Sequence, residues 1–378
     1  MNVISSIVYF IYLYYLLMVF FVRHRQQLMI GHKRITNHFG VATTFTVLLL
    51  IWGGLSLLWT PSPFLTALYY LSYLVKVFFA YLLCKLCPIR DVLRSVCKGT
   101  AYAAAASVPV AIIITGYSSG RLLENVSSGG VGTISINICI GFLSVIYLIL
   151  DCSISKISTI LLMMFYVSGL YFSFARTRII ALVVAIIIYG LFAPAIARRR
   201  FARLVLIAVG IMAAWIILSP KVNDYMYHSG PSGIDTLSGR TILWAQTLNK
   251  IRSGPSIRGF GLFAFYHIGP NPFTTLRHLA HAHNEFLNLW FNLGLVGVAL
   301  ASGLYLALIY TSLKAIMRGI GSLAILTLCV VVFCLVDGIT DASSLMCVLP
   351  SQWLLLFDCL VSTALAGAVR ATTGNIII

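Results

Sequence analysis

Two histidines, His281 and His283, stand at the head of a long apolar run that opens with Asn284 and Glu285. An imidazole can take a proton from a hydroxyl near neutral pH, so a histidine where a chain enters a membrane suits general-base chemistry at a lipid–water boundary. The same residues also fit an interfacial loop whose histidines are only solvated. Asn284 has the side chain of an N-cap, which leaves His283 just outside the first helical turn. That helix start turns its positive end and unpaired amides toward any anion bound there. Glu285 either orients the imidazole or occupies a first turn that favours a carboxylate. His281 is a supporting partner of His283 or a solvated neighbour.

Arginines supply the complementary charge. Residues 241–251 read as a short amphipathic helix, with Trp244, Leu248 and Ile251 on one apolar face and Ser238 as its cap. Arg240 then falls in the first turn, where a planar guanidinium fork suits phosphate oxygens. Arg176 and Arg178 lie where the apolar run 157–175 ends. They either snorkel to headgroups or are held there by a partner or a ligand. Asp337 and Asp341, one helical turn apart, are proton-relay groups, helix caps or partners of Lys76, with a structural role favoured. Cys84 and Cys87 form a CxxC without a second pair, and the loop around Arg240 lacks an acidic ligand cluster, so neither a metal nor a cofactor is expected.

The elements that must position these groups follow from composition. With 60% hydrophobic and 9% charged residues and a mean hydropathy of +0.98, the chain is not a soluble globule. Apolar runs centred near 3–22, 41–59, 64–83, 99–117, 132–150, 157–175, 179–197, 204–219, 285–311, 320–337 and 346–369 have the length of transmembrane helices and exceed that of barrel strands. The expected fold is all-α: a polytopic transmembrane helix bundle of about 11 spans, or 12 if one run merges two. Its parts are N-terminal transmembrane helices at 1–218, a large loop with short helices at 219–283, and C-terminal transmembrane helices at 284–378. The run 3–22 reads as an uncleaved signal anchor, because its positive charges follow it.

One alternating set of loops carries sixteen Lys and Arg and the opposite short loops only Arg121, Arg176 and Arg178, which makes the first set cytoplasmic and the 219–283 loop external. Most of the net charge of +17 is this topology signal, so it favours lipid headgroups and does not imply nucleic acid. The external loop is nevertheless basic and holds five of the eight histidines, which points to an anionic ligand outside the membrane.

The order of these motifs resembles the O-antigen ligase and O-antigen and exopolysaccharide polymerase superfamily. The resemblance rests on His283-Asn284, nine residues, then Gly294-x-x-Gly297; on Phe174-Ala175-Arg176-Thr177-Arg178 with Leu182; on Ser238-Gly239-Arg240 with Trp244; and on Gly259-Phe260-Gly261. It implies a multi-pass enzyme of the bacterial inner membrane with its active site facing the periplasm. The partners it implies are an undecaprenyl-pyrophosphate-linked glycan, an acceptor glycan or lipid A core, membrane lipid and other polysaccharide assembly proteins. The expected reaction is metal-independent, inverting transfer, with His283, Arg240 and Arg176 catalytic. Arg178, His281, Asn284 and Glu285 contribute to substrate binding. Arg176 matches the family arginine by the small residue before an Arg-Thr pair, Arg178 by its Arg-x3-Leu spacing. Gly294, Gly297 and Ala301 read as a small-residue packing stripe. A surface-polysaccharide polymerase is preferred. A ligase to lipid A core is the alternative, and a lipid-linked sugar flippase or secondary transporter is the rival from another class.

The basic-residue asymmetry makes the topology testable. A reporter active only in the periplasm should work when fused near Ser253 and be silent after Arg200; the reverse would overturn the orientation.

Overall fold

A computed structural model describes residues 41–86, 89–115, 130–151, 153–173, 176–193, 240–271, 281–318 and 321–342, and every regular element among them is helical. In chain order these are α1 (Val41–Leu55) with a 3-10 turn at Ser56–Leu58, α2 (Pro63–Leu86), α3 (Ile89–Thr115), α4 (Gly130–Leu150) and α5 (Lys156–Ser173). Then follow α6 (Arg176–Phe192), α7 (Arg240–Arg252), α8 (Ala264–Ile268), α9 (Glu285–Met317) and α10 (Gly321–Gly338). Eight of the apolar runs coincide with α1 to α6, α9 and α10; the runs at 3–22, 204–219 and 346–369, and the expected cap Ser238, lie outside the described residues. Val41–Leu58 and Glu285–Met317 are long and apolar enough to cross a membrane by length and composition, and the other apolar helices are shorter by that measure.

Burial follows from sequence pattern. α4 is apolar all round and is enclosed from Ile138 to Leu148 by α3, α5 and α10. α6 instead leaves Val183, Ile187 and Leu191 exposed at helical spacing, an outward apolar stripe suited to lipid. Two buried hydroxyls are satisfied within their own helices: Thr46 donates to the Ala42 carbonyl at 3.1 Å and Ser144 to Ile140 at 2.8 Å. α3 starts well before the apolar run at 99–117, because Arg94 in its first turns is held by Asp151 at 2.7 Å.

α9 departs from expectation at Gly294, whose φ of 71° breaks the helix. The break strands backbone groups that must find other partners. The freed carbonyls of Phe291 and Asn292 accept from Phe260 N at 2.9 Å and Gly261 N at 2.8 Å. The Leu293 carbonyl accepts from Trp52 Nε1 at 2.8 Å. On the far side, Leu295 N and Val296 N donate to the Ser256 and Ile257 carbonyls at 3.0 and 3.3 Å. The 256–261 loop is thus sewn into the break from both sides. The approach leaves no room for side chains: a Cβ on Gly294 would lie 2.0 Å from the Ile257 carbonyl oxygen, and one on Gly259 2.4 Å from Gly294 N. The small-residue stripe read from the sequence is therefore corrected at its first member, which is a break point rather than a packing contact. The loop is also pinned to the turn after α1, where Leu262 N donates to Ser56 Oγ at 3.0 Å and its carbonyl accepts from Thr60 Oγ1 at 2.9 Å.

Gly294→Ala adds both a left-handed alanine, which costs about 1–3 kcal/mol, and a backbone clash. Its melting temperature in detergent should fall clearly, whereas Gly190→Ala, with open space at its Cβ, should be neutral or stabilising. Equal melting of the two would show that the break tolerates a side chain.

Candidate active site

The turn after α10 gathers the site. Asp341 N donates to the Asp337 carbonyl at 2.8 Å, which closes the helix end and brings three consecutive residues into use. The Ile339 carbonyl accepts from Asn284 Nδ2 at 2.9 Å, and the Thr340 carbonyl from an Arg240 guanidinium nitrogen at 2.5 Å. Asp341 itself pairs through Oδ2 with Arg178. Arg178 opens the second half-turn of α6, is 5% exposed, and also donates to Ser135 Oγ of α4 at 2.6 Å; its Nε lies 3.4 Å from Asp337 Oδ1. A guanidinium cannot shed its charge, so its burial requires this enclosure by acceptors and carboxylates.

The two histidines differ sharply. The His281 side chain is 8% exposed and that of His283 33%, and their rings meet edge to face with centroids 4.3 Å apart. His283 takes a left-handed φ of 50°, and its amide donates to His281 Nδ1 at 3.2 Å. Its own Nδ1 lies 3.5 Å from Asp341 Oδ1, and His281 Nδ1 lies 3.8 Å from the same oxygen. Burial, reinforced by His283, Arg178 and Arg240 against the opposing Asp341, pushes His281 down to about 3. His281 is therefore neutral, and its 3.8 Å approach to Asp341 is not an ion pair. Burial alone would raise the Asp341 carboxyl, but the Arg178 guanidinium and the two histidines hold it well below the usual carboxylate range.

Asn284 caps α9 as expected, its Oδ1 accepting from Leu287 N at 2.9 Å. Arg240 is the first residue of α7, which lies against the first segment of α9. α7 buries Leu243, Thr247 and Ile251, with Trp244 and Leu248 flanking them, so its inner face is rotated from the one expected. The turn holds Trp244 nearer the loop, where Nε1 donates to the Ala282 carbonyl at 3.0 Å and fixes the residue between the two histidines. Lys250 donates to the Ile268 carbonyl, tying α7 to α8.

The structure thus brings Arg178, Arg240, His281, His283 and Asn284 together around residues 339–341. Glu285 is wholly buried against Gly338 of α10, beneath the site. Arg176 opens α6, and its side chain lies outside the described residues. Asp341, Asp337 and Ser135 are the residues the sequence reading left out of the site. The signal for the first two was their one-turn spacing beside a helix end. The ligand atoms of His281, His283 and Asp341 lie within 4.8 Å of one another, a spacing a metal ion can bridge. A cation there would share the Asp341 carboxylate with a permanently charged guanidinium, which disfavours it.

Residues 160–302 match the family model described as O-antigen ligase. The match runs from α5 into α9, so it takes in Arg176, Arg178, Arg240, His281, His283, Gly294 and Gly297, and it ends before Asp337 and Asp341. The resemblance read from the motifs is borne out over that stretch. The family is one of membrane glycosyltransferases of the ligase and polymerase type. No curated protein matches the chain.

A histidine held near 3 when folded and near 6.5 when unfolded makes the unfolded state bind more protons between those values, so stability falls as pH drops through that window. His281→Asn keeps an acceptor at the Nδ1 position without that titration. The melting temperature of the wild type should fall from pH 7 to pH 4 more steeply than that of His281→Asn. Parallel curves would show that His281 charges without penalty.

Proposed function

We propose that this protein is an O-antigen-type polymerase of the bacterial inner membrane. It transfers the reducing-end sugar of an undecaprenyl-pyrophosphate-linked glycan to a hydroxyl of another lipid-linked repeat unit. The observation that carries this reading is a partly open imidazole, His283, and an arginine, Arg240, both within the stretch that matches the family, brought together against adjacent residues of the turn after α10. The basic-residue asymmetry supports a periplasmic site, with 219–283 as the catalytic loop between membrane segments 1–218 and 284–378.

In the reaction the acceptor O–H gives its proton to His283 as the new O–C1 bond forms on the face opposite the diphosphate. The C1–O bond breaks, its electrons leave with undecaprenyl pyrophosphate, and the anomeric configuration inverts. Arg240 and Arg176 stabilise the developing diphosphate charge, the term that fixed cations serve best. Arg178, His281 and Glu285 support the site from behind, as their burial suits, and the half-buried Asn284 supports it through the cap of α9 and its bond to the turn.

A ligase would use the same groups and differ in its acceptor, the lipid A core. The flippase reading draws on broken helices and buried charges, and α9 is broken. Its freed groups, however, are taken up by the 256–261 loop and Trp52, which favours a scaffolded site over a lined pathway.

Turnover of lipid-linked donor by purified protein in lipid discs tests the assignment. His283→Ala should lose roughly 10²–10⁴-fold in rate while still binding donor. Arg240→Lys keeps the charge without the fork and should impair transfer more than Arg252→Ala, an exposed change on the same helix. A His283→Ala protein with near-normal turnover would end the general-base reading, and equal activity of the two arginine variants would make Arg240 structural.

A further inference from the structure

We infer that Asp341 is the positioning residue for His283, and that His281 acts with it by fixing the His283 backbone, so that Nε2 of His283 faces the acceptor hydroxyl. The inference deepens the general-base reading and rests on it.

Three observations converge. The first is the left-handed backbone of His283, a conformation uncommon for a residue with a Cβ and held here by specific contacts. Here the His283 amide donates to His281 Nδ1, while the Ala282 carbonyl between them is held by Trp244. A ring nitrogen that accepts carries no proton, so His281 is the neutral tautomer with its hydrogen on Nε2. Its burial keeps it neutral across the working pH range. Its one ring lone pair is engaged by the His283 amide, so His281 does not compete as the base, and its role is to set the direction of its neighbour.

The second observation concerns which nitrogen of His283 is open. Nδ1 is buried and makes no hydrogen bond of ordinary length, and its near polar neighbour is Asp341 Oδ1 at 3.5 Å. The side chain as a whole is nevertheless one-third exposed, so the open part of the ring lies away from Nδ1. A proton on Nδ1 directed at the carboxylate leaves Nε2 as the basic atom. Catalytic contacts of this kind are often long before substrate binds and shorten afterwards.

The third is the rigidity and charge of the carboxylate. Asp341 Oδ1 accepts from Ala342 N at 2.9 Å, and Oδ2 is paired with Arg178, itself anchored on Ser135 and beside Asp337. Asp341 is thus fixed in place and kept ionised. It stabilises the imidazolium formed when Nε2 takes the hydroxyl proton, and it does not receive that proton itself. The proton stays on His283 until it leaves to water at the open side. Arg178 in this arrangement contributes by holding Asp341.

Two measurements test the assignment, both on full-length protein in lipid. Asp341→Asn should lower kcat by about 10²–10⁴-fold with the donor KM changed by no more than about threefold. Wild-type kcat in this variant, while His283→Ala is inactive, would overturn the positioning role and leave the base reading standing. Near-normal turnover in His283→Ala would remove the base reading first. If Asp341→Asn does not fold, nitrogen-15 spectra of histidine-labelled wild type decide, with signals identified by their loss in His281→Asn and His283→Gln. His281 should show an unprotonated Nδ1 and His283 a protonated one in its neutral form. The opposite tautomer of His283 would overturn the inference. So would activity lost to a chelator and restored by zinc, because the same groups would then be metal ligands.

Discussion

A guanidinium removed from water and unable to lose its proton must be surrounded by negative charge and acceptors, and Arg178 sets that requirement at the heart of this fold. Asp337 and Asp341 meet it from α10 and the turn beyond, and Ser135 from α4. Because the ion pair locks the turn at 339–341, the carbonyls of Ile339 and Thr340 are fixed as well, and they hold Asn284 and Arg240. One buried charge thereby ties α4, α6 and α10 to the starts of α7 and α9. The candidate site is the surface of that knot.

A second constraint acts on α9. A helix broken at Gly294 exposes amides and carbonyls that an apolar environment does not forgive, so another strand of backbone must come in to meet them. The 256–261 loop does so, with Gly259 of the loop and Gly294 of α9 at the closest approach, which makes loop and helix one structural unit. The short first segment of α9 becomes a platform, carrying Asn284 and His283 at one end and the loop at the other. Phe260, Phe265 and Phe291 fill the space between, with ring centroids at 4.7 and 5.0 Å. The Gly-Phe-Gly motif and the Gly294 motif therefore describe the two halves of one joint.

Charges in the site are layered as a consequence. Anionic Asp341 lies behind the histidines and is balanced from within by Arg178, while Arg240 reaches the same turn from α7. The partly open His283 meets this carboxylate through Nδ1 at 3.5 Å, with the neutral, buried His281 packed against its ring. Such an arrangement can stabilise an imidazolium on one side and an anionic leaving group on the other, in a region partly shielded from water.

Helices at the eight apolar runs among the described residues, the cap at Asn284, the helix that starts at Arg240 and the order of motifs were all legible in the chain by itself. Each depends on neighbours a few residues apart: apolar length, a side chain that reaches its own helix start, or glycines in a turn. The role of Gly294 was not legible, because a glycine in an apolar run looks the same whether it permits close packing or a break. Nor was the inner face of α7, which its docking onto α9 rotated toward Leu243. The partner of Arg178 was hidden most deeply, since Asp341 lies 163 residues away and only the packing of α6 beside α10 brings the charges together. Local sequence determined which segments are helical and where they begin; the choice of which buried charges neutralise one another belongs to tertiary structure, because electrostatic pairing depends on distance in space.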